Sequence, residues 1–140
     1  MRYLIDTHIF IFLITRQEDQ LSRDVSAILD DYENEFLMSI ESVRELIVAY
    51  RTKNLLPKFF KSAEELVDII ERIFHIRIVK LDMSVMRTMA RLEINVAQEH
   101  NDPSDHIIIA HAMTLGTPVI SNDGKFPFYR AQGLQLIENR

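Results

Sequence analysis

The 140-residue chain contains no cysteine and only three glycines, and these two shortages exclude several kinds of chemistry. Without cysteine there is no disulfide framework and no zinc site with thiolate ligands. The glycines, Gly116, Gly124 and Gly133, are too isolated to form a phosphate-binding loop or a dinucleotide-binding fingerprint. No histidine pair has the spacing of a zinc-protease helix, and no serine lies in a nucleophile elbow. Carboxylate chemistry is what remains.

Long apolar runs are also missing. The longest obvious run, Ile9 to Ile14, is far shorter than the roughly 20 residues that cross a bilayer. Asp6 interrupts any segment that would resemble a signal peptide, so we expect a cytoplasmic protein. Hydrophobic residues make up 47% of the chain and charged residues 26%, which is ordinary for one globular domain, and we place that domain over residues 1–140.

The net charge of −5 argues at first against a nucleic-acid partner. Five of the 21 acidic residues are candidates for one metal-binding cluster, and the remaining 16 equal the number of lysines and arginines. The surface outside such a cluster would be neutral overall, with room for a basic stripe that contacts phosphate groups, although a solvated face is the ordinary explanation. The acidic candidates are Asp6, Glu45, Asp102, Asp105 and Asp123; the basic ones are Arg44, Arg51, Lys53, Lys58 and Lys61, with Arg87 and Arg91 as a second pair.

Strand-like and helix-like segments alternate along the chain. This alternation predicts an α/β fold, in which helices cover both faces of a central, mainly parallel sheet of four to five strands. The predicted strands are residues 3–5, 36–38, 76–79, 118–120 and 134–137. The predicted helices are an apolar one at 9–14 and others that begin at Ser22, at Ser39 or Ser42, at Ser62, at Asp82 or Ser84, and at Asp102. Pro57 and Gly116 are expected to end two of them, and helical spacing places Tyr32 and Ile73 on buried faces.

Four acidic residues occupy positions that such a fold would bring together. Asp6 follows the first strand and Asp123 the fourth, and ligands bind at the carboxyl ends of parallel strands. Glu45 lies about one turn into the helix after the second strand, and Asp105 lies in the first turn of the helix before the fourth. Two carboxylates 4 Å apart repel by about 4 kcal/mol at an effective dielectric near 20, and a proton or a divalent cation removes that repulsion. Because Mg²⁺ prefers oxygen ligands, the pattern favours a magnesium or manganese site.

Each of these acids also has an ordinary structural explanation. Asp6 is able to end a strand and start a turn, and Ser42 and Glu45 have the spacing of a capping box. Asp105 is placed to complement a helix dipole, and Asp123-Gly124 is a common turn pair. Residues for which we expect packing, capping or surface roles are Asp102, which would be a helix N-cap, and His8, His75, His100 and His111.

Four motifs follow one another over residues 4–126. They are Leu4-Ile5-Asp6-Thr7-His8, residues 39–46, residues 102–112, and Ser121-Asn122-Asp123 with Phe126. In this order they resemble the motifs of the PIN-domain family. The resemblance implies a three-layer α/β/α sandwich and hydrolysis of RNA phosphodiester bonds by metal-activated water, with Mg²⁺ or Mn²⁺ as cofactor. By position, the catalytic and metal-binding residues would be Asp6, Glu45, Asp105 and Asp123, supported by Thr7, whose hydroxyl would position a water or a phosphate, and by Asp102, His106 and Asn122. Of these, His106 and Asn122 stand where the family often has arginine, which leaves RNA contact and substrate choice open.

The small size and the lack of a further RNA-binding module resemble VapC-type toxins. That resemblance implies an endoribonuclease that forms a homodimer and pairs with a small antitoxin, whose C-terminal segment would lie in a groove around Ile9–Ile14 and Val43–Leu56. Two alternatives stay open: a PIN nuclease that processes RNA without an antitoxin, and a non-catalytic PIN-like scaffold. A receiver domain is disfavoured because no acid adjoins Asp6, and a dehalogenase-like phosphatase because its second aspartate is replaced by His8.

Overall fold

The computed structural model of the protein describes residues 1–52 and 60–140. In these residues five strands alternate with six α-helices. The strands are β1 (Arg2–Ile5), β2 (Glu35–Ser39), β3 (Arg77–Val79), β4 (Val119–Ser121) and β5 (Leu136–Glu138). The helices are α1 (Thr7–Ile14), α2 (Arg23–Asp30), α3 (Ile40–Thr52), α4 (Ala63–Arg72), α5 (Met83–Arg91) and α6 (Pro103–Leu115), with short 3₁₀ segments at Glu18–Gln20, Val96–Gln98 and Phe126–Gln132. Pro57, which we predicted to end α3, lies outside the described residues, as do Lys53 and Lys58.

The five strands form one sheet in the order β3-β2-β1-β4-β5, and all neighbours are parallel. β1 is therefore central. Its Leu4 pairs with Leu37 of β2 on one side and with Val119 of β4 on the other. The predicted parallel sheet is confirmed, and its register brings the carboxyl ends of β1 and β4 side by side.

Alternate strand residues pack on opposite faces of the sheet, which creates two hydrophobic cores. Tyr3 and Ile5 belong to one core with the helices α1 to α4, whereas Leu4 belongs to the other with α6 and the 3₁₀ segment Phe126–Gln132. This separation follows from the two-residue period of a strand. The result is the predicted three-layer sandwich. Among the described residues, no helix combines the length and the apolar character that crossing a membrane requires.

Two helix-face predictions are wrong. α2 ends at Asp30 and α4 at Arg72, so Tyr32 and Ile73 lie beyond their helices, and both side chains are exposed. The apolar spacing continues past the residue at which each helix ends, and spacing alone does not reveal that end.

Candidate active site

The candidate site lies where β1 and β4 end. Asp6 follows β1 directly, and Ser121 is the last residue of β4. Because the two strands are parallel neighbours, the Ser121 hydroxyl reaches across and donates a hydrogen bond of 2.6 Å to Oδ2 of Asp6. The structure thereby shows that these two strand ends are neighbours, which the sequence left open.

Asp6 is a buried carboxyl group at the start of a helix. Its Oδ1 accepts a 2.8 Å hydrogen bond from the backbone N–H of Thr7, so Asp6 is the N-cap of α1. Burial raises the pKa of Asp6 from 3.8 to about 6, and the hydrogen bonds from Ser121 and Thr7 offset only part of that effect. The two hydrogen bonds therefore stabilise the ionised form of Asp6 only in part, and a nearby positive charge would stabilise it further.

Glu45 projects toward the same place from α3 and is held by Thr7. The Thr7 hydroxyl lies 2.6 Å from Oε1 of Glu45 and 2.9 Å from the hydroxyl of Ser42. Because an ionised carboxylate can only accept, Thr7 directs its single hydroxyl proton to Glu45. We expected Thr7 to position a water or a phosphate; in the structure its hydroxyl positions Glu45.

The capping explanation of Glu45 is wrong. α3 begins at Ile40, so Ser42 lies inside the helix and not at its N-cap. Ser39 occupies the preceding position, and its hydroxyl accepts the N–H of Glu41 at 3.2 Å. Of the two starting points that the sequence left open for this helix, the structure selects Ser39, and Glu45 is free to face the end of β1.

Asp105 is the acid of the site whose pKa is raised by the charges of the other carboxylates. It lies in the first turn of α6, and its side chain is only 18% exposed. Burial, and after it the charge of Asp6, raise the pKa of Asp105 from 3.8 to about 8. Further contributions come from the carboxylates of Asp102, Asp123 and Glu45. Without a cation this group holds its proton at neutral pH, so the arrangement fits a divalent ion that would replace the proton.

Asp123 approaches Asp105 from the loop after β4. Its backbone N–H donates to the Ser121 hydroxyl at 3.1 Å, and its Oδ1 accepts the N–H of Lys125 at 2.9 Å. One ligand atom each from Asp123, Asp105 and His100 lie within 4.8 Å of one another, close enough to surround one ion. Carboxylate oxygens with one imidazole suit manganese, and the carboxylates alone suit magnesium.

His100 is the site residue that sequence reasoning missed. We expected a packing or surface histidine; its side chain is 1% exposed, and its Nε2 lies 2.9 Å from Oδ2 of Asp105. It precedes α6 by a few residues, in a stretch without periodicity or motif. Only the folded chain brings it to the carboxylates.

Three residues that the resemblance placed near the site lie at its margin. Asp102 is an exposed N-cap of α6, whose Oδ1 accepts the N–H of Ser104 at 2.9 Å. Asn122 is exposed beside Asp123. His106 is buried, and its Nε2 donates to the backbone carbonyl of His100 at 2.8 Å, so this nitrogen already has a partner within the fold.

A cavity of about 260 Å³ adjoins Glu45 on the α1–α3 side of the site. Its polar walls include Glu45 and Arg44, and its apolar walls are built by Ile11, Val48 and Ala49. The Arg44 guanidinium is exposed and engages both carboxylate oxygens of Glu41, with its Nε at 3.0 and 3.1 Å. A ligand in this cavity would touch an apolar wall, a cation and a carboxylate of the site together.

Solved structures share the fold over the whole chain. VapBC2 from Rickettsia felis, bound to a promoter DNA fragment, is 17% identical, with a TM-score of 0.71 and coverage of 100% of both chains. VapBC-1 from nontypeable Haemophilus influenzae is 21% identical, with a TM-score of 0.66 and coverage of 99% of this chain and 98% of that chain. VapBC-5 from Mycobacterium tuberculosis is 17% identical, with a TM-score of 0.58 and coverage of 99% of this chain and 98% of that chain. At these identities the likeness establishes the fold alone.

The match to a family model identifies the family, which these pairwise likenesses do not. No curated protein matches the sequence. The model of the PIN domain, however, matches residues 3–133, a range that contains Asp6, Glu45, His100, Asp105 and Asp123. The chain therefore belongs to the PIN-domain family.

Proposed function

We propose that the protein is a Mg²⁺- or Mn²⁺-dependent endoribonuclease that acts as the toxin of a VapBC-type toxin–antitoxin pair. The observation that carries this proposal is the convergence of Asp6, Glu45, Asp123 and Asp105 at the carboxyl end of β1 and β4, where the pKa of Asp105 rises to about 8. Four such acids at one point are unfavourable in a protein that binds no cation. A non-catalytic scaffold has no need of that arrangement.

Each acid has a role in this proposal. Asp6 and Asp105, the two carboxyls with raised pKa, are the main cation ligands, and Asp123 completes the ligand set from the β4 side. A bound divalent cation would lower the pKa of a water molecule and offset the charge that develops on the phosphate. Glu45, held by the Thr7 hydroxyl, is placed to orient the attacking water or to accept its proton.

We expect basic side chains near the crevice to contact the phosphate backbone of an RNA substrate. Arg44 lines the cavity beside Glu45, and Arg51 and Lys61 are exposed. Lys53 and Lys58, which complete the predicted basic stripe, lie outside the described residues. Phosphate contacts from such a stripe would bind RNA with little sequence preference, so selectivity would come from the shape of the crevice.

An antitoxin partner is supported by the cavity and by the solved structures of similar fold. VapBC-5 from Mycobacterium tuberculosis is described as a member of a family of toxin–antitoxin systems. In this chain, Ile11, Val48 and Ala49 form an apolar wall on α1 and α3, within the groove that the sequence predicts. The last part of the predicted groove, from residue 53 to Leu56, lies outside the described residues. A peptide bound there would cover Glu45 and block the site. We also expect a homodimer, which light scattering of the purified protein would test.

The decisive test compares the wild type with Asp6→Asn on a pool of structured RNAs. Cleavage is expected with Mg²⁺ or Mn²⁺, none with a chelator, and none with the variant, whose circular dichroism should match that of the wild type. Asp68→Asn, the same change at an exposed position of α4, is the matched control and should cut normally. Equal cleavage by wild type and Asp6→Asn, or cleavage in the chelator, would refute the proposal. A short antitoxin frame beside the gene would favour the toxin over an RNA-processing nuclease.

A further inference from the structure

His100 lies between the acidic site and an aromatic residue in the core. Its Nε2 is 2.9 Å from Oδ2 of Asp105, and its Nδ1 is 2.9 Å from the hydroxyl of Tyr129. The rings of His106, Phe126 and Tyr129 pack around it at centroid distances of 4.9, 5.9 and 5.5 Å. Both nitrogens of this buried imidazole therefore have a defined partner, and the ring has no room to turn.

The segment before His100 is built to hold that ring in place. Asn95, which is 1% exposed, donates from its side chain to the carbonyl of Lys125 at 3.2 Å, and its own carbonyl accepts the N–H of His100 at 3.0 Å. Glu99 adopts a left-handed backbone conformation with φ of +54°, which is unfavourable for a residue other than glycine. Strain of this kind persists where surrounding contacts enforce it.

The hydrogen-bond chain determines which nitrogen of His100 carries the proton. The backbone N–H of Asn95 donates to the Tyr129 hydroxyl at 3.2 Å. Within the described part of the chain, the acceptor that this hydroxyl has for its own proton is Nδ1 of His100. The imidazole proton is then on Nε2, which faces Asp105. An ionised Asp105, as in a cation-loaded site, can only accept a hydrogen bond. The Tyr129 contact and the Asp105 contact therefore both require the proton of His100 to be on Nε2.

We propose that His100 is a positioning residue, which donates from Nε2 to Oδ2 of Asp105 and so presents Oδ1 of that carboxylate to the metal ion. This inference rests on the proposed metal-dependent function of the same site. Hydrogen-bond partners of metal ligands typically change metal affinity or activity about 10- to 100-fold when they are removed. Because Nδ1 accepts from Tyr129 and Nε2 carries the proton that faces Asp105, His100 would not itself be a ligand in this proposal, although its position within 4.8 Å of Asp105 and Asp123 would otherwise allow it to be one.

Mn²⁺ binding, measured by electron paramagnetic resonance, tests the proposal with two substitutions of His100. His100→Gln places an amide N–H near the position of Nε2 and should keep the wild-type dissociation constant within about 3-fold, whereas the shorter His100→Asn should weaken binding about 10- to 100-fold. His111→Gln is the matched control, because it removes a buried imidazole of α6 that contacts Ser39 and no acid of the site. An unchanged dissociation constant in His100→Asn would overturn the proposal.

Two measurements on the wild type keep the test independent of how the variants fold. Two-bond ¹H–¹⁵N spectra with Mg²⁺ should show the Nε2–H tautomer of His100, and the Nδ1–H tautomer would overturn the proposal. Pulsed electron paramagnetic resonance of the Mn²⁺ complex should show no directly bound ¹⁴N; a bound nitrogen would make His100 a ligand instead. If the wild type binds Mn²⁺ without cutting RNA, the proposed nuclease function fails and the role of His100 stands; if it binds no Mn²⁺, both fail.

Discussion

Replacing Asp105 by asparagine should stabilise the metal-free protein at alkaline pH. Burial, and after it the charge of Asp6 and the other carboxylates, raises the pKa of Asp105 from 3.8 to about 8. The folded state then holds this proton more tightly than the unfolded state does. The free energy of unfolding therefore falls as the pH rises from about 4 to about 8 and changes no further above that range. Asparagine carries no charge, and its amide oxygen can still accept a hydrogen bond from His100.

The size of the effect follows from the two pKa values. Each pH unit between them corresponds to about 1.36 kcal/mol. The interval from 3.8 to about 8 thus sets an upper limit of about 6 kcal/mol for Asp105. Since the side chain is 18% exposed, water screens part of the repulsion, and we expect roughly 2 to 3 kcal/mol near pH 8. For a domain of this size, that corresponds to an increase of about 6 to 10 °C in Tm.

Urea unfolding in a chelating buffer measures this difference. Asp105→Asn should exceed the wild type in free energy of unfolding by roughly 2 to 3 kcal/mol at about pH 8.5, and by much less at about pH 4.5, because the folded wild type is still protonated there and carries no buried charge at Asp105. Asp68→Asn is the control and should show no such pH-dependent gain. Mn²⁺ at about 100 times its dissociation constant should stabilise the wild type by about 2.7 kcal/mol and the variant by much less. A variant that is no more stable than the wild type at alkaline pH would refute the reasoning.

Three further predictions concern the same fold and site. Thr7→Val should lower kcat about 10-fold or more because Glu45 loses its hydroxyl partner, whereas Thr7→Ser should retain most of the activity in a single-turnover assay. The apparent affinity for Mn²⁺ should fall as the pH drops from about 8 to about 6, because the cation must displace protons first from Asp105 and then from Asp6; calorimetry would record their release, and a pH-independent affinity would contradict it. Leu46→Ala, at a fully buried position of α3, should reduce the free energy of unfolding by about 2 to 5 kcal/mol in urea, and a loss well below that range would show that the core closes over the gap.

The placement of Asp6 and Asp123 at one edge of the sheet could be predicted because it depends on local features. Each residue follows a short apolar strand, and helices between the strands require a parallel sheet with its carboxyl ends on one edge. The pairing of Leu4 with Val119 confirms that expectation. What remained open was whether those two strands are neighbours, and no local pattern determines strand order.

Glu45 shows a different limit of sequence reasoning. The spacing of Ser42 and Glu45 is the same in a capping box as in a helix that carries an acid toward a metal site. The structure excludes the capping box because α3 begins at Ile40. It also shows that Thr7, from another element, contacts Glu45 at 2.6 Å. That contact joins residues 38 positions apart and has no counterpart in the local sequence.

The sequence by itself determined the alternation of strands and helices, the resemblance to the family and the four candidate acids, because periodicity, caps, motifs and strand-end carboxylates are properties of neighbouring residues. Only the tertiary structure decided that Thr7 holds Glu45, that His106 is buried, and that His100 contacts Asp105. It also decided the raised pKa values of Asp6 and Asp105, because loss of water and the approach of distant carboxylates arise only when the chain is packed.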